Sequence, residues 1–242
     1  YRYLDLRRIV ANLAADLGAV AVVGTDFNLP AEDRNKLHTG SRWIAIARTM
    51  DGVEALRRVR GERWEVLERK IVPDLLTRSR SLKCWSAACS TGDEPYTLAM
   101  LLSGLPGRPA YQVLATDIDR GAIAKALAGV YPALSVKEVP APYLNRFFTV
   151  TGANYRISEE LKKNVTFRQH NLLADPYEAN FDLIVCRNVL IYFTDEAKDG
   201  IYRKFSRSLK PGGYLFIGGT EQIFEPARYG LEAVDTFFYQ KK

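Results

Sequence analysis

The chain is poor in the residues that most often run chemistry. Only two histidines stand in 242 residues, and neither His38 nor His170 sits in a Ser/Cys/Asp arrangement that would make a nucleophile and its base. Cys84, Cys89 and Cys186 are an odd count without zinc-ligand spacing, which excludes a disulfide scaffold and fits a reducing, cytoplasmic setting. No uncharged apolar run reaches the ~18 residues of a membrane span, so no membrane insertion is expected. Signal-peptide patterns, internal repeats and low-complexity segments are also missing, while a first residue of Tyr1 rather than Met points to residues preceding it. What is present is enough for a core: 47% of residues are hydrophobic, on a length that suits one domain with a smaller attachment. The net charge of +6 favours an acidic partner or marks a solvated basic face.

Two textures divide the chain. Residues 1–75 read as a helical N-terminal domain, with Leu6, Ile9, Val10, Leu13 and Leu17 at helical spacing and Trp64, Leu67, Ile71 and Leu75 repeating it. Residues 76–242 alternate short apolar runs with helical patterns. Strands are expected at Leu82–Ala87, Tyr111–Ala115, Val165–His170, Phe181–Cys186, Tyr214–Gly218 and Thr236–Gln240. Helices are expected at Glu94–Ser103, Arg120–Ala128 and Thr194–Leu209, the last stopped by Lys210-Pro211-Gly212-Gly213. Such alternation predicts an α/β fold, a doubly wound, Rossmann-like parallel sheet, with TFFYQ pairing antiparallel at an edge. At about 130–163 the alternation is interrupted. There FFTV and NYRI flank Thr151-Gly152-Ala153, the spacing of a hairpin in a small inserted β-subdomain, or else a long loop.

The stretch WSAACSTGDEPYTLAM, residues 85–100, carries the ligand question. It runs from a strand through small residues into a helix, the turn that cradles ligands at the carboxyl ends of parallel strands. A dinucleotide fingerprint would offer GxGxxG. Here Gly92 stands alone, and Asp93 and Glu94 occupy the space a pyrophosphate would need. Two carboxylates repel an anion and attract an ammonium or sulfonium, which favours S-adenosylmethionine (SAM); alternatively they only offset a helix dipole. Thr91 or Asp93 could cap the helix. Asp117, just past the second strand, can accept hydrogen bonds from both ribose hydroxyls, with Asp119 as the alternate. Beyond the third strand, Asn171 could read an adenine edge while Leu172 packs on its face; His170 reads as a structural strand-end residue.

The fourth strand, FDLIVC, ends in RNVLIYF. SAM-dependent enzymes that methylate base amines often place Asn/Asp-Pro-Pro-Tyr there. An arginine instead suits a carboxylate, held by a bidentate, charge-assisted pair. A glutamate substrate is already ionised at neutral pH and needs no general base, only alignment with the methyl group. Arg187 would orient it, and Tyr192 could hold it or close the pocket.

Together, WSAACSTGDEPYTLAM, ATDID, HNLLAD, FDLIVCRNVLIYF and GGTEQIF-to-FFYQK resemble the CheR family, chemotaxis receptor methyltransferases that convert receptor glutamates to methyl esters with SAM. The likeness spans roughly residues 62–242. It implies a helical N-terminal domain, a SAM-binding domain and an inserted β-subdomain. It also implies cofactor contacts from Glu94, Asp117, Asn171, Leu172 and the Cys186–Arg187 segment, and an active-site pair of Arg187 and Tyr192. The implied partner is the cytoplasmic helical region of methyl-accepting chemotaxis receptors. One departure stands out: where the family carries Asn-x-Ser/Thr-x-Phe/Tyr-Phe/Tyr-Arg, this chain reads GVEALRRVR over 52–60, leaving Arg57, Arg58 or Arg60 as substitutes. That departure keeps a second function in view, a SAM- or receptor-binding module with weakened catalysis. Methylation of RNA rests on the basic charge alone and lacks stacking aromatics at the fourth strand, so no nucleic acid is expected.

Overall fold

The computed structural model describes residues 20–25, 42–47, 64–137, 139–218 and 221–242. Two compact units divide the chain, Tyr1–Lys70 and Ile71–Lys242. In the first, β1 (Val20–Thr25) pairs antiparallel with β2 (Arg42–Ala47), Val20 opposite Ala47 and Thr25 opposite Arg42. This differs from the helical expectation for residues 1–75. VAVVGT and RWIAIA are rich in β-branched and aromatic residues, which favour a pleated strand over a helix. The helical spacing from Leu6 to Leu17 and the GVEALRRVR segment lie outside the described residues. Helical turns run from Trp64 to Arg78, where the second apolar spacing put them.

The second unit is built on a seven-stranded sheet. Its strands are β3 (Ser81–Ala87), β4 (Ala110–Asp117), β8 (Val165–Gln169), β9 (Phe181–Cys186), β10 (Leu209–Ile217), β11 (Leu231–Asp235) and β12 (Phe238–Lys241), in the order β11-β12-β10-β9-β3-β4-β8. β3, β4, β8, β9 and β10 run parallel, and β12 is antiparallel to β10. The TFFYQ strand is therefore not the edge. β11, which sequence reading passed over, covers it on the outside. Chain order reverses between β3 and β9, and a ligand crevice opens at such a switch point beyond the carboxyl ends.

α1 (Val72–Arg78) leads into β3, and the helices that follow strands of the sheet are α2 (Asp93–Gly104), α3 (Arg120–Ala128) and α7 (Asp195–Ser208), the last capped by Thr194. All six residues of β9 are buried, as a central strand covered on both faces requires. Trp85, Phe181, Ile184, Phe205 and Leu215 pack into one cluster there, each side chain contributing roughly 1.5–3 kcal/mol by leaving water. The strand ends that carry the site thus stand on a rigid floor.

The interruption after α3 holds a separate three-stranded sheet, ordered β5 (Val130–Pro132), β7 (Asn154–Ile157), β6 (Phe148–Thr151), with three short helices around it: α4 (Ala133–Val136), α5 (Ala141–Phe147) and α6 (Glu159–Lys162). β6 and β7 form the hairpin, Thr151 opposite Asn154, and Gly152 at φ 61 supplies the left-handed turn. Tyr131 at the base of this sheet donates its hydroxyl to the carbonyl of Thr91 at 2.8 Å, tying the insert to the turn after β3.

Candidate active site

The turn from β3 into α2 is tight. Ala88 and Ser90 adopt positive φ, as does Gly92 at φ 92. Gly92 caps α2 with no side-chain hydrogen bond, so neither Thr91 nor Asp93 is the cap; the Thr91 hydroxyl donates instead to Asp93 Oδ2 at 2.6 Å. A Cβ at Gly92 would lie 2.8 Å from Ala126 Cβ and 3.0 Å from the Tyr131 hydroxyl. Glycine is needed there for the chain's own packing as well as for its φ.

Glu94 enters the crevice one residue into α2. Its side chain is 15% exposed, and Oε1 accepts from the Ser86 hydroxyl at 2.8 Å. Across the switch point, Arg187 at the end of β9 brings Nη1 to 3.8 Å from Glu94 Oε2, itself 12% exposed and with its guanidinium 5.2 Å from the centre of the Phe216 ring. That separation is too long for a hydrogen bond and is an electrostatic contact. Burial pushes the Glu94 carboxyl up to about 7, against the pull of Arg187 and Ser86 and with a further push from Glu221. A further cation beside Glu94 would draw its carboxyl back down.

Asp117 ends β4 half-buried. Its Oδ2 accepts from the Ser90 amide at 2.8 Å and Oδ1 from the Asp119 amide at 2.9 Å, so the carboxylate is aimed by two backbone donors from two loops. Asp119 serves as the cap of α3, accepting from the Gly121 and Ala122 amides. That occupies its carboxylate and leaves Asp117 as the acid at the strand end. After β8, Asn171 Oδ1 accepts from the Leu173 amide at 2.9 Å, while Asp175 accepts from the Asn171 amide at 2.8 Å. Leu172 is buried at 6% exposure within the main core cluster, and Leu173 beside it is half exposed. His170 is buried edge-on to Trp85 with Nε2 3.2 Å from the Pro176 carbonyl, a structural place.

Cys186 is fully buried, and desolvation pushes its thiol well above the ordinary range, as it does for Cys84 and Cys89. None of the three is poised as a thiolate. Tyr192 closes a short 3-10 turn, Leu190–Tyr192, and is 67% exposed, with the exposed Ile191 beside it. Glu94, Asp117 and Arg187 are therefore gathered at the carboxyl ends of β3, β4 and β9, with Asn171 beyond β8 and Tyr192 beyond β9. Sequence reading did not assign Ser86, Phe216, Tyr131 or Glu221. Ser86 had one visible signal, a lone hydroxyl within the apolar run of β3.

The family model for the SAM-binding domain of CheR methyltransferases matches residues 57–237. The chain belongs to the CheR methyltransferase family. Among its relatives are the chemotaxis protein methyltransferases of Listeria monocytogenes and Listeria innocua, each 48% identical over 180 residues that make up 74% of this chain and 69% of that protein. Chemotaxis protein methyltransferase 1 of Pseudomonas aeruginosa is 37% identical over 172 residues, 66% of this chain and 62% of that protein. The cofactor of the CheR domain is SAM, and the residues present fit it. The largely buried Glu94, whose carboxyl burial pushes up to about 7, and a turn whose Asp93 and Glu94 disfavour phosphate suit a positively charged nucleoside. Among the described residues no helix is long and apolar enough to cross a membrane.

Proposed function

We propose that the chain transfers the methyl group of SAM to glutamate side-chain carboxylates of chemotaxis receptors, acting in the cytoplasm and forming methyl esters. The observation that carries this reading is Arg187 at the carboxyl end of β9, 12% exposed and 3.8 Å from Glu94. A cation at that position, where amine-modifying enzymes need an acceptor, selects an anionic substrate.

When bound, SAM supplies an electrophilic methyl group on a sulfonium. Glu94 would stand toward its positive charge and Asp117 toward its ribose, while Asn171 would meet the adenine. Arg187 would hold the substrate carboxylate with its guanidinium, which lies 5.2 Å from the centre of the Phe216 ring. The substrate is a carboxylate at neutral pH, so no residue has to remove a proton. The chain's contribution is orientation and exclusion of water. The exposed Tyr192 would meet the incoming receptor segment before the carboxylate reaches Arg187. Forming the bond from carboxylate oxygen to methyl breaks the bond from methyl to sulfur and would leave S-adenosylhomocysteine; the ester is neutral, which dissolves its ion pair with Arg187 and frees the product.

The test is transfer of radiolabelled methyl to receptor cytoplasmic fragments, followed by base treatment. Volatile label released by base supports the ester; base-stable label overturns it. The departure GVEALRRVR at 52–60 favours the second reading, a binding module, and SAM binding without any transfer is the outcome that would select it.

A further inference from the structure

The segment after β9 that carries Arg187 and Tyr192 is not held by strand pairing. From Asn188 to Ile191 its backbone turns away through a positive φ of 60 at Asn188, leaving amide donors without a ladder partner. A single buried side chain collects them. Glu221, 5% exposed, accepts at Oε2 from the amides of Gly218 at 2.8 Å and Asn188 at 3.0 Å. At Oε1 it accepts from the amides of Leu190 at 2.6 Å and Ile191 at 3.3 Å. Gly218 leaves the space this requires, since a Cβ there would collide with Glu221 Oε2 and lie 2.8 Å from the Asn188 nitrogen.

We propose that Glu221 is a positioning residue for methyl transfer. Its carboxylate clamps the turn between Arg187 and Tyr192 to the end of β10, so that the guanidinium and the phenol meet the substrate from a fixed frame. The inference rests on the reading that this turn faces the substrate. Four backbone N–H groups converging on one buried carboxylate is more than the helix cap or surface pair that a glutamate ordinarily makes. The donors span both sides of the β9–β10 pair, so loss of the carboxylate frees the turn without unpairing either strand. A neutral amide in its place would offer one acceptor oxygen and present N–H against N–H.

Glu221→Gln tests this with three readouts. The turnover number for receptor methylation should fall about 30-fold or more, as expected when a reacting group loses its orientation, with KM for the receptor fragment and the dissociation constant for SAM within about threefold. Amide exchange at Asn188, Leu190 and Ile191 should accelerate about 100-fold while the amides of Phe181–Cys186 keep their protection. Glu221→Asp, which keeps the charge but is one methylene shorter, should recover part of the rate. Glu221→Ala, which removes both acceptor oxygens without placing a new group against the turn, should reproduce the Gln phenotype even if the Gln variant does not fold. A wild-type turnover number with unchanged exchange in Glu221→Gln, or in Glu221→Ala where the Gln variant does not fold, would overturn the proposal. So would a loss of SAM binding together with exchange spread through β9, which marks a purely structural residue. Should the wild-type chain methylate no receptor, the proposed function fails by itself, and the exchange pattern and SAM affinity still decide the clamp.

Discussion

The two strand ends that flank the crevice treat a buried carboxylate in opposite ways. Beyond β9 and β10, Glu221 is surrounded by four backbone donors within hydrogen-bond reach, and its charge is spent on the chain itself. Beyond β3, Glu94 has one hydroxyl and one arginine at 3.8 Å, and burial holds its carboxyl up to about 7. One acid is satisfied and fixes a loop. The other has only a hydroxyl and a distant arginine, and the crevice beside it is where we propose that the sulfonium nucleoside binds. A buried charge that its own protein fully compensates serves the architecture, whereas one left partly uncompensated in a crevice is a candidate binding site.

The largest effect should come from removing the cation that faces both sides. Arg187→Ala should lower methyl transfer about 1000-fold through lost orientation and ion pairing, with SAM affinity within about fivefold, measured by single-turnover transfer beside calorimetry. Full transfer in that variant would remove the carboxylate clamp. Next is the cost of Glu94 itself. Its folded carboxyl, at about 7, holds a proton that the unfolded chain releases near its ordinary 4.5. The stability this contributes is fully present below pH 4.5 and is lost as pH rises through about 7. The size is about 3 kcal/mol at one decade per 1.36 kcal/mol. Denaturant midpoints of the cofactor-free protein should trace that decline, and Glu94→Gln should flatten it.

Asp117→Ala should weaken SAM by about 1.5–3 kcal/mol, the loss of hydrogen bonds to a charged acceptor. The Ser90 and Asp119 amides lose their partner as well, so Asp117→Asn is the sharper comparison. Unchanged calorimetric affinity in both would mean that the ribose is held elsewhere. The smallest effect is expected at Tyr192. Tyr192→Phe keeps the ring at an exposed position and should reduce turnover by less than about tenfold, or ~1.4 kcal/mol.

Much of this was legible before any coordinates. The strand that fills the sheet's centre, FDLIVC, announced itself by an apolar run broken only by Asp182, and the turn after β3 by a lone glycine followed by two acids. Those signals are local, and both come from hydrophobic burial and turn chemistry acting within a few residues. What stayed hidden depends on distance along the chain. Glu221 lies 33 residues from Asn188, and Tyr131 lies 40 from Thr91, so no window of sequence joins either pair. GGTEQIF was visible as a motif but its glutamate had no evident partner. β11 was missed because LEAVD carries two acids and buries little beyond Leu231. The pairing of β1 with β2 shows the same limit at the other end, where helical spacing elsewhere in the segment was extended across two β-rich stretches.

The central claim, that the acid at the start of α2 is held for a cation, is tested most directly by counting protons during SAM binding. Calorimetry at pH 6.5 in buffers of different ionisation enthalpy should show wild-type protein releasing at least about half a proton more than Glu94→Gln, because the bound cation returns Glu94 to its ordinary carboxylate form. Equal proton release by the two proteins, with affinity independent of pH between 6 and 8 in both (~100-fold in proton activity), would contradict the account.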